Sequence, residues 1–255
     1  RDRGMFTSPH LYTEPERISV NGVDIAQTEL DSLMQESQET AQRALPGKNV
    51  SLFEHYMYAA LKYFEQQQTD ISIIEAGIGG GMDCTSIIQP DMCVICTIDY
   101  DHTDVLGDKL HDIALQKAGI CKPGVPLVLH PQIQPELKAV VTEECARLGG
   151  YIAGDLASSN ITLFNKLDGD ELLQGQSFAM DIDGLLLDNA RIKMLGSYQI
   201  YNAATAAYAA WMLNGCGFHI SAMHIANGLW KAEWPGRMQL LPGGNQADLL
   251  LDGAH

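Results

Sequence analysis

Positive charge is scarce in this chain. Lys and Arg number 16 against 32 Asp and Glu over 255 residues, a formal net charge of −16. Phosphate backbones repel such a surface, which excludes a general nucleic-acid binder. A small anion held by local backbone amides or a metal ion stays compatible with it. Long apolar runs are also missing: none approaches the ~20 residues that cross a bilayer, so a soluble protein with no membrane partner is expected. Cysteine is sparse and dispersed, at Cys84, Cys93, Cys96, Cys121, Cys145 and Cys216. That usage suits a reducing, cytoplasmic setting better than a disulfide framework. Cys93 and Cys96 have metal-ligand spacing, but no second pair exists, and residues three apart on a strand face opposite sides; core packing is their expected role. The first residue is Arg1 rather than methionine, no targeting pattern follows, and the chain stops at His255 after an apolar run. Both ends are expected to be cuts within a longer protein.

What is present is ample for folding. Hydrophobic residues make up 46%, enough for one large domain or two unequal ones. Met5 to Thr7 reads as the tail of a strand, and Ser8-Pro9-His10 as a turn. Ile25 to Leu45 reads as a helix closed by Pro46-Gly47. Ser51-Leu-Phe-Glu54 has capping-box spacing and predicts a helix to about Gln67. Buried strands are expected at Ile71 to Glu75, Met92 to Ile98 and Val125 to Leu129. Helices are expected at Asp108 to Ala118, stopped by Gly119, and at Pro135 to Leu148. This alternation predicts a mostly parallel sheet covered by helices. From about Ile161 to Met194 short alternating runs with Asp-Gly turns predict antiparallel hairpins. Asn202 to Leu213 is alanine-rich and helical, Trp234-Pro235-Gly236 is a break, and Asp248 to Leu251 begins a further strand.

Three groups could carry chemistry. Glu75 ends a strand at the loop Glu75-Ala-Gly-Ile-Gly-Gly-Gly-Met-Asp83; it is either a surface acid or a ligand for a hard cation such as magnesium. His102, between Asp101 and Thr103, is a solvated histidine or a ligand, although magnesium favours oxygen over imidazole. Lys117, before Gly119, would ordinarily complement a helix C-terminus. The glycine spacing also fits an S-adenosylmethionine-dependent methyltransferase. It fits a dinucleotide fingerprint less well, because the sixth position is Met82.

A collinear set of motifs points one way. It runs Phe6-Thr-Ser-Pro-His-Leu11, Glu16-Arg-Ile18 with Val20-Asn-Gly22, Phe53-Glu54, Glu75 to Thr85, Asp101-His-Thr103 with Leu106-Gly107, Lys117-Ala-Gly-Ile120 with Lys122-Pro-Gly124, Asn202-Ala203, Trp234-Pro-Gly-Arg237 and Asp252-Gly-Ala-His255. In this order, over essentially the whole chain, it resembles folylpolyglutamate synthase and dihydrofolate synthase of the Mur ligase superfamily. The chain departs from many members at Gly81, Cys84, Ser86 and Tyr198.

The resemblance implies an α/β fold: a Mur-ligase-like central ATPase domain over 1–239, its mostly parallel sheet flanked by helices with a small antiparallel subregion. Residues 240–255 would open a glutamate-binding domain. It implies a ligase that uses ATP to join L-glutamate to dihydropteroate or folate through an acyl phosphate. Glu75 and His102 would bind Mg2+, and a carbamylated Lys117 would act with them. Asn202, Arg237, Asp252 and His255 would contact ATP. Asn49, Val50, Ser51, Leu52, Met82, Asp83 and Cys84 would meet the pterin. A monomer is the family's usual state. The family's Gly-x-x-Gly-Lys-Ser/Thr phosphate loop is not in the chain, so this stretch alone is expected to be inactive. A Mur-type ligase for another acid and a methyltransferase are the alternatives.

Overall fold

The structure is a computed structural model that describes residues 2–154, 156, 161–163, 175–243 and 247–253. It consists of two compact units, Arg1–Ile88 and Gln89–His255.

In the first unit, β1 (Arg3–Phe6), β2 (Ile18–Val20), β3 (Val23–Asp24) and β4 (Ile71–Ile74) form one sheet in the order β3-β2-β1-β4. β1 runs antiparallel to β2 and parallel to β4, with Phe6 opposite Ile74. Asn21 and Gly22 turn β2 into β3 at φ of 56° and 78°, the left-handed pair that a two-residue hairpin requires. Helix α1 (Gln27–Ala44) stops ahead of Pro46-Gly47, and α2 (Leu52–Gln66) starts at the expected box: Ser51 and Glu54 each bond the other's backbone N–H. Phe6, Ile18, Leu30, Leu33, Tyr56, Met57 and Phe64 fill the core beneath these elements. Gly4 is glycine for a packing reason, since a Cβ there would lie 2.7 Å from the Phe64 ring. The apolar run at β4 suggested a buried strand, yet Ile73 is 59% exposed. Among the described residues β4 is the outer strand of its sheet.

In the second unit, β5 (Cys93–Ile95), β6 (Pro126–Leu129) and β7 (Tyr151–Gly154) form a parallel sheet in that order. α4 (Leu110–Ala118), preceded by the short α3 (Thr103–Leu106), and α5 (Pro135–Arg147) make the crossovers. β6 has a core on each face: Leu127 and Leu129 pack with Ile113, Val141 and Cys145, while Val128 packs with Ile200, Ala204 and Tyr208. A strand covered twice must be continuously apolar, which is why Leu127-Val128-Leu129 does not alternate. The hairpin β9 (Gln176–Ile182) and β10 (Leu185–Ile192), with β8 (Thr162–Leu163), is the expected antiparallel region; Asp168-Gly169 lies outside the described residues. α6 (Ser197–Met212) begins five residues before its expected start, after Gly196, and α7 (Ala222–Lys231) packs on β10. The hydroxyl of buried Tyr208 on α6 lies within hydrogen-bonding distance of the Asp183 carboxylate in the hairpin turn and of the Ala153 carbonyl on β7. β11 (Gln239–Leu241) pairs with β12 (Leu249–Leu251) as a separate ribbon.

Candidate active site

Glu75 stands one residue past β4, where parallel pairing with β1 brings the Ser8 amide to it. The Ser8 N–H donates to Glu75 Oε2 at 2.7 Å, and the Glu75 N–H donates to Phe6 O at 3.0 Å. The carboxylate is therefore held at the carboxyl ends of two parallel strands, the usual ligand edge of such sheets. The preceding loop is shaped by Glu16, whose carboxylate accepts from the amides of Leu11, Tyr12 and Thr13.

The glycine loop after Glu75 closes on Asp83. This carboxylate is 9% exposed. Its Oδ2 accepts from Gly77 N and Ile78 N, both at 3.0 Å, and its Oδ1 from Thr85 N and Thr85 Oγ1 at 2.9 and 2.6 Å. The loop's amides at Gly77 and Ile78 thus face a side chain of their own loop. A dinucleotide or S-adenosylmethionine loop instead needs backbone open to its ligand. Gly77 lies under the Phe53 ring, where a Cβ would approach to 2.8 Å, so the loop rests on the start of α2. The two stretches expected to meet the pterin are consequently neighbours. Leu52 and Met82 are 61% and 89% exposed, Asn49 is exposed and Val50 half-buried. Ser51 caps α2, and Cys84 packs against the core. Burial, with the charges of Asp83 and Glu54 nearby, pushes the Cys84 thiol up to about 11, so it is a neutral packing group at neutral pH.

His102 and Lys117 belong to the second unit. His102 is the residue before α3, in the left-handed conformation at φ 49°. Its ring is about half exposed and lies 3.8 Å from Asp101 Oδ1. Lys117 is half-buried in the last turn of α4, and among the described residues its ammonium has no hydrogen-bond or ion-pair partner. α3 packs against α4. Among the described residues no three His, Cys, Asp or Glu side chains form a group able to hold a metal. The expected set differs in kind: a carboxylate at Glu75, an imidazole at His102 and, once carbamylated, oxygens at Lys117. Two of those donor types are the hard oxygen ligands that magnesium takes, and in that respect the residues fit the ion.

The remaining positions also lie in the second unit. Asn202 is half-buried on α6. Arg237 and Asp252 flank the β11–β12 ribbon and are brought together by it: Met238 N donates to Asp252 Oδ1 at 3.1 Å and Gly253 N to Gly236 O at 2.6 Å. His255 lies outside the described residues.

No family model matches the chain, but individual proteins do. Dihydrofolate synthase/folylpolyglutamate synthase of Bacillus subtilis is 34% identical over 257 residues, 99% of this chain and 58% of its own length. A solved FPGS–AMPPCP–folate complex superposes with a TM-score of 0.86 at 30% identity, covering 100% of this chain and 61% of the other. Over essentially its whole length the chain is similar to folylpolyglutamate synthase/dihydrofolate synthase enzymes. E. coli FolC in complex with DHPP and ADP superposes at 0.82 with 28% identity, over 100% of this chain and 55% of that one. The chain spans a little over half the length of these relatives.

Two residues that contact expected site residues were passed over by reading by motif. Ser8 was quoted only within its motif, and its contact with Glu75 depends on a 67-residue separation closed by β1–β4 pairing. His130 directly follows β6, is 2% exposed, and bonds Asn202 through Nε2 at 3.1 Å. The signal available for it was a titratable residue at the carboxyl end of a wholly apolar strand.

Proposed function

We propose that this chain is the central part of a cytoplasmic, monomeric ligase that uses ATP to join L-glutamate to dihydropteroate or a folate. The observation that carries this reading is the collinear motif series, supported by 34% identity across 99% of the chain to a dihydrofolate synthase/folylpolyglutamate synthase. The likeness to a fold solved with AMPPCP and folate supports the same choice of substrates.

In this reading, the substrate carboxylate takes the γ-phosphoryl group of ATP, releasing ADP. The glutamate amine then attacks the acyl carbon of the acyl phosphate, an amide forms and phosphate leaves. Magnesium, when bound, neutralises charge on the transferred group. Glu75, restrained by the Ser8 amide, would supply a carboxylate to that ion. His102, before α3, would supply an imidazole and Lys117, in the last turn of α4, its carbamate. Asn202, Arg237, Asp252 and His255 hold the nucleotide. Asn49 to Leu52 and Met82 to Cys84 meet the pterin, exposed Leu52 and Met82 offering apolar surface to its ring and Asp83 also holding the shape of the loop.

The test is glutamate incorporation by the full-length protein. Labelled L-glutamate should appear in product only with ATP, magnesium and dihydropteroate or tetrahydrofolate, with one ADP formed per glutamate. ATP turnover driven by another carboxylic acid, and not by a pteridine, would overturn the substrate assignment.

A further inference from the structure

We propose that His130 is a positioning residue for the nucleotide: it fixes the Asn202 amide so that Asn202 offers an N–H donor, not its carbonyl oxygen, to ATP. This rests on the reading of Asn202 as an ATP-contacting residue. His130 is fixed first by its backbone, whose N–H donates to Ile95 O at 3.0 Å. The Gln132 N–H donates to His130 Nδ1 at 3.2 Å, so Nδ1 is an acceptor and the neutral ring carries its proton on Nε2. Nε2 therefore donates to Asn202 Oδ1 at 3.1 Å. Asn202 Nδ2 donates in turn to Oε1 of Gln199, which is 5% exposed, at 3.0 Å. An amide nitrogen has two hydrogens; Gln199 takes one, and the other is the group Asn202 can present.

Asn202 and Gln199 alone cannot set this polarity. Two amides facing each other bond equally well if both flip. His130 breaks that symmetry because its own polarity comes from a backbone N–H, which cannot flip. A flipped Asn202 would set Nδ2 against the Nε2 proton, donor to donor, in a buried place where an unmade bond is costly. Burial also holds the His130 pKa below its ordinary 6.5, which preserves the neutral ring this relay needs.

The test is ATP titration of the full-length protein as wild type, His130→Leu, His130→Gln, Asn202→Ala and the His130→Leu/Asn202→Ala double variant. Leucine removes both ring nitrogens at similar bulk, whereas glutamine can return an N–H near the Nε2 position. His130→Leu should raise the Kd for ATP about tenfold, the worth of one buried hydrogen bond. His130→Gln should recover most of it, and the double variant should bind no more weakly than Asn202→Ala. Nitrogen-15 NMR of the wild type should show the His130 proton on Nε2. Wild-type affinity in His130→Leu with a loss in Asn202→Ala overturns the role of His130 and leaves Asn202 as read. Losses that add in the double variant, or equal losses in the Leu and Gln variants, make His130 a packing residue and overturn it too. An unchanged Kd in Asn202→Ala, or no ATP binding by the wild type, removes the nucleotide reading on which the inference rests.

Discussion

Three residues illustrate how much a side chain's partners decide. Asp83 is expected to meet the pterin, and its oxygens accept from four donors of its own loop. Asp83→Ala leaves those donors unmatched, the buried pair on Thr85 above all, and should destabilise the first unit by about 2–4 kcal/mol, read by urea denaturation; a change within error would mean the loop re-forms without it. Lys117 is a half-buried lysine with no partner among the described residues, and the proposed carbamate would turn this cation into an oxygen ligand. Lys117→Ala should lower turnover about 10²–10³-fold, as loss of a group acting on transition-state charge does, and short carboxylic acids should restore part of it. Full activity in the alanine variant would reject the carbamate. For His130 the sign follows from burial, which lowers its folded pKa from 6.5. Its contribution to stability is present above pH 6.5 and is lost as pH falls from there through the lowered value, because only the unfolded chain takes up the proton readily. Between pH 7 and pH 5, His130→Gln should lose less melting temperature than wild type.

At the scale of elements, legibility followed local chemistry. The start of α2 could be read because Ser51 and Glu54 satisfy each other within four residues, and α5 because Pro135 opens it at the first turn. Leu127-Val128-Leu129 could be read as a strand because both its faces are covered. The β2–β3 hairpin was overlooked although Asn21-Gly22 is a strong turn signal, because strands of three and two residues are too short to show a period. α7 was missed too; its Ser221 cap is made by His224 in place of the usual Glu or Gln. The α2 cap gives a direct check. Ser51→Ala should cost about 1 kcal/mol. Bonds from the Ser51 hydroxyl and then its amide hold the Glu54 pKa below 4.5, so their stabilisation exists above that value and fades as pH falls through the lowered one. Ser51→Ala should therefore narrow the stability gap to wild type at acid pH, and a gap independent of pH would show that Glu54 does not take part.

At the scale of the whole molecule, the sequence made the fold class plain and hid the site's closure. Motif order implied which residues act, but contacts such as Ser8–Glu75 and His130–Asn202 join positions 67 and 72 residues apart, and no local pattern encodes them. What composition did state is charge. With 32 acids against 16 bases, compacting the chain crowds like charges, and ion pairs among the described residues such as Lys62–Glu65 and Arg147–Glu144 are local and largely exposed, worth little. Raising NaCl from about 0.01 to about 1 M shortens the screening length from roughly 30 Å to roughly 3 Å. That range weakens diffuse repulsion far more than the contact pairs, so the melting temperature should rise with salt. A fall would mean specific pairing outweighs net charge. Potassium sulfate and NaCl compared at equal ionic strength separate screening from the added effect of sulfate on burial: screening predicts that most of the rise is common to both salts.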